Sequence, residues 1–217
     1  MEEQDLKALS EQLMKPSGER GIEVANMMNE NNIGMTINSI ENLRLKGNER
    51  ILEIGHGNAG HLDYLLKKAE NLQYEGIDIS ELMIQEAVRI NTIPIANKQA
   101  AFTLYDGAVI PFEQESFDAV FTVNTIYFWS DPSTFMKEIA RALKKGGRFG
   151  LTFAEASFME QLPFTKFNFT LYNLEAVQNL ADQAGLTIEK TDLQKEHIRS
   201  KTGEMVERDF VTLVMRK

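Results

Sequence analysis

From residue 50 to residue 153, short apolar segments alternate with segments of helical periodicity, and no other feature of the 217-residue chain restricts its fold as much. The apolar segments are predicted strands at residues 50–54, 72–78, 101–105, 117–124 and 148–153. The fourth contains the run DAVFTV, whose nearly continuous apolar character is typical of a parallel strand covered on both faces. Strands separated by helices predict a doubly wound, mostly parallel α/β sheet.

Helical periodicity predicts helices at residues 59–69, 80–90, 132–143 and 173–184. The third is expected to end on the run LKKGG (residues 143–147), because lysines suit the negative end of the helix dipole and a glycine can adopt the left-handed cap. Two strands finish the chain, at residues 186–193 and about 206–215, with a turn near Thr202-Gly203. Since no helix separates them, they predict an antiparallel hairpin at one edge of the sheet.

Residues 1–45 are predicted as helices, since Leu6, Leu9 and Leu13 recur at helical spacing. Breaks are expected at residues 16–18 and 31–34, where Pro, Gly and Asn interrupt the pattern. The N-terminal run MEEQDLKALSEQLM lacks the basic start and apolar core of a signal peptide. No stretch approaches the roughly 18 apolar residues of a membrane span, so we expect a cytoplasmic protein.

Charge and composition exclude several function classes. The formal net charge of −9 argues against nucleic acid as the main partner, because binding its backbone requires clustered Lys and Arg. The absence of cysteine excludes disulfides, thiolate metal ligands and a Cys nucleophile. The three histidines lack HExxH-like spacing, so no metal site is predicted.

The run ILEIGHGNAGHLDYLL (residues 51–66) places Gly55, Gly57 and Gly60 at the spacing of a dinucleotide-binding turn after the first strand. Glycines there let the backbone approach a ligand closely. Asp78, at the end of the second strand, can accept hydrogen bonds from both hydroxyls of a ribose. NAD and S-adenosylmethionine both carry such a ribose, so these residues predict a nucleoside ligand without choosing between the two.

Glu53, two residues before the first glycine, favours a ligand with a cationic tail. A carboxylate at this position would repel the anionic pyrophosphate of a dinucleotide, whereas it would attract an ammonium group. Asp106-Gly107, after the third strand, could accept a hydrogen bond from an adenine amino group, although Asp-Gly is also a common turn. Aromatic residues 127–129 (Tyr-Phe-Trp) follow the fourth strand and are expected either to pack under the loop or to bind a ligand.

The order of these segments resembles class I S-adenosylmethionine-dependent methyltransferases. It runs through Glu53-x-Gly-x-Gly, Asp78-x-Ser-x-x-Met83, Asp106-Gly107, IPFEQESFD (residues 110–118) and LKKGG. The similarity covers about residues 45–155 and points to the small-molecule group that includes the ubiquinone/menaquinone biosynthesis methyltransferases. It implies a Rossmann-like seven-stranded sheet of order 3-2-1-4-5-7-6 with strand seven antiparallel, and S-adenosylmethionine as cofactor. The chain then reads as one domain: a helical cap (1–45), a cofactor-binding core (46–155), and a lid segment, last helix and hairpin (156–217).

The resemblance also assigns roles by position. Residues expected to contact the methionyl and ribose part of the cofactor are Glu53, Gly55, His56 and Gly57, with Asn124 near the methionyl end. Asp78 is expected to bind the ribose hydroxyls, and Ile79, Met83, Asp106 and Gly107 to surround the adenine. Ala59 stands where the family usually has its third glycine. His56 is the weak candidate for a catalytic base, ahead of His61 and Glu155, whereas His197 is expected on the surface.

The methyl acceptor is expected among residues 32–36, 124–129 and 153–169. Candidate substrate contacts are Met35, Tyr127, Trp129, Phe153 and Phe158. Because the last stretch is rich in Phe and Met, an apolar or aromatic small molecule is predicted as the acceptor. Two alternatives remain at this point: a nicotinamide-dependent oxidoreductase that uses the literal glycine spacing, and a non-catalytic protein that binds the cofactor.

Overall fold

Seven strands form one sheet in the computed structural model of the chain, which describes residues 2–199 and 205–217. The strands are β1 (Arg50–Ile54), β2 (Gln73–Asp78), β3 (Ala100–Leu104), β4 (Phe117–Val123), β5 (Leu143–Ala154), β6 (Thr187–Arg199) and β7 (Met205–Arg216). Their order is β3-β2-β1-β4-β5-β7-β6, and β7 runs antiparallel to both of its neighbours. The predicted sheet order and the predicted antiparallel hairpin are therefore confirmed. The turn expected near Thr202-Gly203 lies outside the described residues.

Helices cover both faces of this sheet. They are α1 (Glu3–Met14), α2 (Gly18–Leu43), α3 (Leu62–Leu66), α4 (Glu81–Ile90), α5 (Thr92–Ala96), α6 (Pro132–Ala142), α7 (Ala156–Met159) and α8 (Leu174–Gln183), with 3₁₀ helices at Ile126–Phe128 and Pro163–Lys166. Along β1, Ile51 packs on the face covered by α2 and α3, whereas Leu52 and Ile54 pack in the larger core on the opposite face. Alternate strand residues point to opposite faces, so apolar residues on both faces account for the uninterrupted apolar run in β4. None of the helices over the described residues has the length and apolar character needed to cross a bilayer.

Three of the predicted local structures are wrong: the break at residues 31–34, the start of the helix after β1, and the end of the helix before β5. The break expected at residues 31–34 does not occur, because α2 continues to Leu43 and buries Met35 and Ile40. Tertiary packing there overrides the low helix propensity of Asn and Gly. The helix expected from residue 59 begins only at Leu62, because Ala59 adopts a left-handed φ of 50°.

The LKKGG run does not cap α6. That helix ends at Ala142, and Leu143 already has an extended backbone and pairs with Phe117 of β4. Lys144 extends from this strand start to Asp118, with Nζ 2.8 and 2.9 Å from the two carboxylate oxygens. The lysine therefore satisfies a carboxylate of the neighbouring strand rather than the helix dipole.

The carboxyl ends of β1 and β4 are adjacent at the centre of the sheet. After β1 the chain moves outward to β2 and β3, and it then crosses back to β4 on the other side of β1. This reversal opens a crevice beyond the strand ends, which is where doubly wound sheets bind their ligands.

Candidate functional site

A cavity of about 170 Å³ occupies this crevice. It collects residues that are distant in sequence, from the α1–α2 junction, the glycine turn and the loops after β2, β3 and β4. All of the residues carried over as cofactor contacts line it except Asp106: Glu53, Gly55, His56, Gly57, Asp78, Ile79, Met83, Gly107 and Asn124. Trp129, predicted as an acceptor contact, also lines it.

The glycine turn contains two residues with left-handed backbone, Gly55 (φ 73°) and Gly57 (φ 57°). They are needed for different reasons. A Cβ on Gly55 would lie 2.4 Å from Cγ2 of Thr125, so this glycine is required by the close approach of the loop after β4. A Cβ on Gly57 would meet no atom within 4 Å, so this glycine borders open space in the cavity.

Asp78 is 7% exposed and organises the backbone around it. Its Oδ2 accepts a hydrogen bond from the Gly57 N–H at 3.1 Å, and its Oδ1 accepts one from the Ser80 N–H at 2.9 Å. Burial raises the pKa of the Asp78 carboxyl, and the nearby His56 and the two N–H groups oppose that rise. Carboxylate oxygens have more than one acceptor position each, so Asp78 retains capacity for a ligand.

Glu53 is 3% exposed, and two side chains hold the same oxygen of its carboxylate. Oε2 accepts a hydrogen bond from the Tyr74 hydroxyl at 2.5 Å and lies 2.8 Å from Nε2 of His61. Burial raises the pKa of Tyr74 well above its ordinary value, and the charge of Glu53 raises it further, so Tyr74 remains a hydrogen-bond donor. His61, one of the weak candidates for a base, is thus engaged by Glu53. Tyr74 was not predicted from the sequence.

His56 is buried, and one of its ring nitrogens has no partner among the described residues. Nδ1 lies 2.7 Å from the carbonyl oxygen of Gly57, whereas Nε2 contacts no donor or acceptor. Burial lowers the pKa of His56, and the charges of Asp78 and Glu53 oppose that change. A neutral ring that donates from Nδ1 leaves Nε2 as an acceptor, and this buried nitrogen has no hydrogen-bond partner among the described residues.

Three other predicted residues lie away from this cavity. Asp106 is exposed, and its Oδ1 accepts hydrogen bonds from the N–H groups of Ala108 and Val109, which lower its pKa. Glu155 lines neither this cavity nor the one described next, and burial raises its pKa. His197 is exposed on the hairpin, as predicted, with Nε2 4.0 Å from a carboxylate oxygen of Glu207.

A second cavity, of about 340 Å³, adjoins the first and is walled mainly by apolar side chains. Its walls come from α1, α2, α7, the segment after α7, and the hairpin strands β6 and β7. Tyr127 and Phe158, both predicted as acceptor contacts, line it. Met35 and Phe153, also predicted as acceptor contacts, do not: each is fully buried in the core and lines neither cavity, so that prediction is wrong for these two residues.

The two cavities share part of their lining. The shared residues are Leu13, Met28, Asn32, Asn124 and Phe128. Asn124 follows β4 with a left-handed φ of 58°, and its side chain is fixed at both ends, by Sδ of Met35 at 3.3 Å and by the Tyr127 hydroxyl at 3.0 Å. The sequence predicted Asn124, and it placed Phe128 in the stretch 124–129 as a residue that either packs under the loop or binds a ligand. It did not predict Met28, which carries no polar signal.

Arg208 is the cationic residue of the second cavity among the described residues, and it is fully paired. Its guanidinium donates to Oε1 of Glu196 at 2.6 and 2.9 Å, to the Asn31 carbonyl at 2.6 Å and to Oδ1 of Asn32 at 2.9 Å. This cluster ties the hairpin to the middle of α2. The charge of Arg208 is therefore paired with that of Glu196.

Comparison with known proteins agrees with this architecture. A protein-family model described as "Methyltransferase domain" matches residues 52–151. An uncharacterized methyltransferase, YdaC of Bacillus subtilis, is 28% identical over 167 residues, which are 74% of this chain and 83% of that protein. A fatty-acid O-methyltransferase of Mycolicibacterium smegmatis is 25% identical over 182 residues, which are 72% of this chain and 65% of that protein.

The fold is shared with solved structures. The putative methyltransferase in complex with the Trm112 methyltransferase activator of Haloferax volcanii aligns with a TM-score of 0.77 at 18% identity, over 88% of this chain and 92% of that one. The family match, the relatives and the sheet order place the chain among the class I S-adenosylmethionine-dependent methyltransferases, and its cofactor is S-adenosylmethionine. The nicotinamide-dependent alternative is therefore set aside. The narrower resemblance to the ubiquinone/menaquinone group stays a prediction.

Proposed function

We propose that this chain transfers a methyl group from S-adenosylmethionine to a small apolar molecule held in the second cavity. The observation that carries the proposal is the shared lining of the two cavities, with Asn124 and Phe128 at their junction. A transferase needs its two substrates in adjacent compartments from which water is excluded, so that the reacting atoms are held at near-attack distance.

The residues of the first cavity fit the cofactor in two respects. Open space borders Gly57, where a side chain would intrude. Buried carboxylates of Glu53 and Asp78 suit an ammonium group and a pair of ribose hydroxyls, respectively. We assign the adenine to Ile79, Met83 and Gly107, with Asp106 still a prediction because its carboxylate is already engaged by the backbone.

When bound, S-adenosylmethionine supplies a methyl group on a positively charged sulfur that is already activated for displacement. None of the described residues that line the second cavity is suited to accept a proton. Its titratable lining residues, within the described part of the chain, are Tyr127 and Arg208. Burial raises the pKa of Tyr127, and Arg208 is paired with Glu196. We therefore propose that the acceptor brings a nucleophile that needs no proton removed by the cavity wall, such as a carboxylate.

The relative named a fatty-acid O-methyltransferase supports an acceptor of this kind. An apolar chain would gain the usual hydrophobic stabilisation from the walls formed by α1 and α7. The acceptor that we propose is thus a carboxylic acid with a hydrocarbon body, whose body occupies the second cavity.

The test is a substitution that fills the second cavity without touching the first. Leu9 lines the second cavity and not the first. With fatty acids as acceptors, the Leu9→Trp variant should form no S-adenosylhomocysteine, whereas the affinity of the variant for S-adenosylhomocysteine should remain unchanged. Leu193→Trp, on the exposed face of β6, is the matched control and should retain activity. The proposal fails if fatty acids of every chain length tested give no product, or if Leu9→Trp leaves turnover intact.

A further inference from the structure

The carboxylate of Glu53 is held by two residues that are not among the predicted cofactor contacts. His61 lines the first cavity beside Glu53, whereas Tyr74 does not line it. Tyr74 reaches it from β2, and His61 reaches it from the residue that precedes α3. Both end on Oε2, and Oε1 takes part in none of the hydrogen bonds seen among the described residues. Because Glu53 also lines the first cavity, Oε1 is the oxygen available to a ligand there.

The surrounding packing gives Tyr74 and His61 fixed positions. Tyr74 is 1% exposed, and its ring packs edge-on against Phe102 with centroids 5.8 Å apart. His61 is 6% exposed and packs edge-on against Phe121 at 6.4 Å. A Cβ on Gly76 would lie 3.1 Å from the Tyr74 ring, so the absence of a side chain at this position keeps room for it. Rings locked in this way leave their polar atoms little freedom to move away from Glu53.

A buried carboxylate without such partners would be costly, and it would be free to rotate or to accept a proton. Two donors on one oxygen set the orientation of the whole group and keep the second oxygen directed elsewhere. We infer that Tyr74 and His61 are positioning residues for the cofactor, which hold Glu53 so that its free oxygen binds the ammonium group of the methionyl tail. This inference rests on the proposed assignment of the first cavity to S-adenosylmethionine.

Two ligands distinguish a positioning role of Tyr74 and His61 from a merely structural one. S-Adenosylhomocysteine carries the amino-acid tail, whereas 5′-methylthioadenosine shares the nucleoside and lacks the tail. Tyr74→Phe removes the hydroxyl and keeps the ring, so its affinity for S-adenosylhomocysteine should fall about tenfold, as for a lost bond to a charged group. Its affinity for 5′-methylthioadenosine should stay within about twofold of the unsubstituted chain. Isothermal titration calorimetry measures both.

Two further variants complete the test. Tyr64→Phe is the matched control, because it also removes a tyrosine–glutamate hydrogen bond, to Glu41, but on the outside of α3. It should leave both affinities unchanged. In a Glu53→Gln background, Tyr74→Phe should cause no further loss, since residues acting through one another are not additive. His61→Gln offers a second probe of the same oxygen if Tyr74→Phe folds poorly.

The outcomes are distinct. Equal losses for both ligands, no loss for either, or full additivity with Glu53→Gln would overturn the positioning role. A chain without substitutions that binds neither ligand would instead refute the assignment of the first cavity to the cofactor.

Discussion

Gly57→Ala provides the sharpest test of where the cofactor lies, because the structure separates its effect on stability from its effect on binding. No atom lies within 4 Å of the added methyl group, so the fold itself resists the substitution only through the left-handed backbone. That conformation costs a residue other than glycine about 1–2 kcal/mol. For a chain of this length, each kcal/mol lowers the melting temperature by about 2–4 °C.

The methyl group would instead occupy space that the cofactor needs. Overfilling a well-packed site costs about 1–3 kcal/mol, which corresponds to a loss of roughly 5- to 150-fold in affinity for S-adenosylhomocysteine. Gly185→Ala is the matched control. Gly185 follows α8 with a φ of 74°, and its added Cβ would likewise meet no atom within 4 Å.

Calorimetric titration and thermal unfolding of both variants separate the two effects. Both should melt at similarly reduced temperatures, and only Gly57→Ala should lose affinity. If Gly57→Ala binds S-adenosylhomocysteine as tightly as the unsubstituted chain, the open space beside the glycine turn is not where the cofactor lies.

Three other predictions follow from the described contacts. Gly55→Ala should destabilise the fold by about 2–5 kcal/mol in urea titration, more than Gly57→Ala, because its methyl group also meets Thr125. Burial raises the pKa of Asp78 in the free protein, whereas ribose hydroxyls favour its ionised form, so binding should release protons. The affinity for S-adenosylhomocysteine should therefore weaken as the pH falls through that raised pKa, and Asp78→Asn should remove this pH dependence. Arg208→Ala leaves Glu196 unpaired and should cost about 3–5 kcal/mol of stability. Arg216→Ala breaks a more exposed pair with Glu189 and should cost about 0–1 kcal/mol, so similar losses for the two variants would contradict the importance of the buried cluster.

The strands could be predicted because each depends on a short local segment of sequence, and their order could be predicted because the family resemblance implies it. Each strand between residues 50 and 154 overlaps a short segment predicted as a strand, although β5 begins at Leu143, earlier than predicted, and the reversal after β3 is a property of the fold class. The residues of the glycine turn could be predicted for the same reason, since Glu53, Gly55 and Gly57 are close in sequence. Met35 and Phe153 were wrongly predicted as acceptor contacts, because the sequence does not show whether an apolar residue near a site faces the core or a ligand.

The network around Glu53 could not be predicted, because it is assembled from β1, β2 and the residue that precedes α3. Tyr74 and Gly76 stand two residues apart on β2 and therefore share a face, and Glu53 lies directly beside Gly76 in the register. Only the pairing of β1 with β2 brings the tyrosine hydroxyl to the carboxylate. An aromatic residue in a strand otherwise suggests packing alone.

The contribution of α1 to the second cavity could not be predicted, for a different physical reason. Leu6, Leu9 and Leu13 form an apolar stripe on α1, which predicts a face packed on protein, yet all three line the second cavity. A helix buries its stripe equally well against a core or against an apolar ligand, so the periodicity cannot distinguish them. The family match covers residues 52–151, whereas α1, α2 and α7 all lie outside it. Most of the segments that shape the second cavity therefore lie outside the matched residues, and within the match the loop after β4 contributes Asn124, Tyr127 and Phe128.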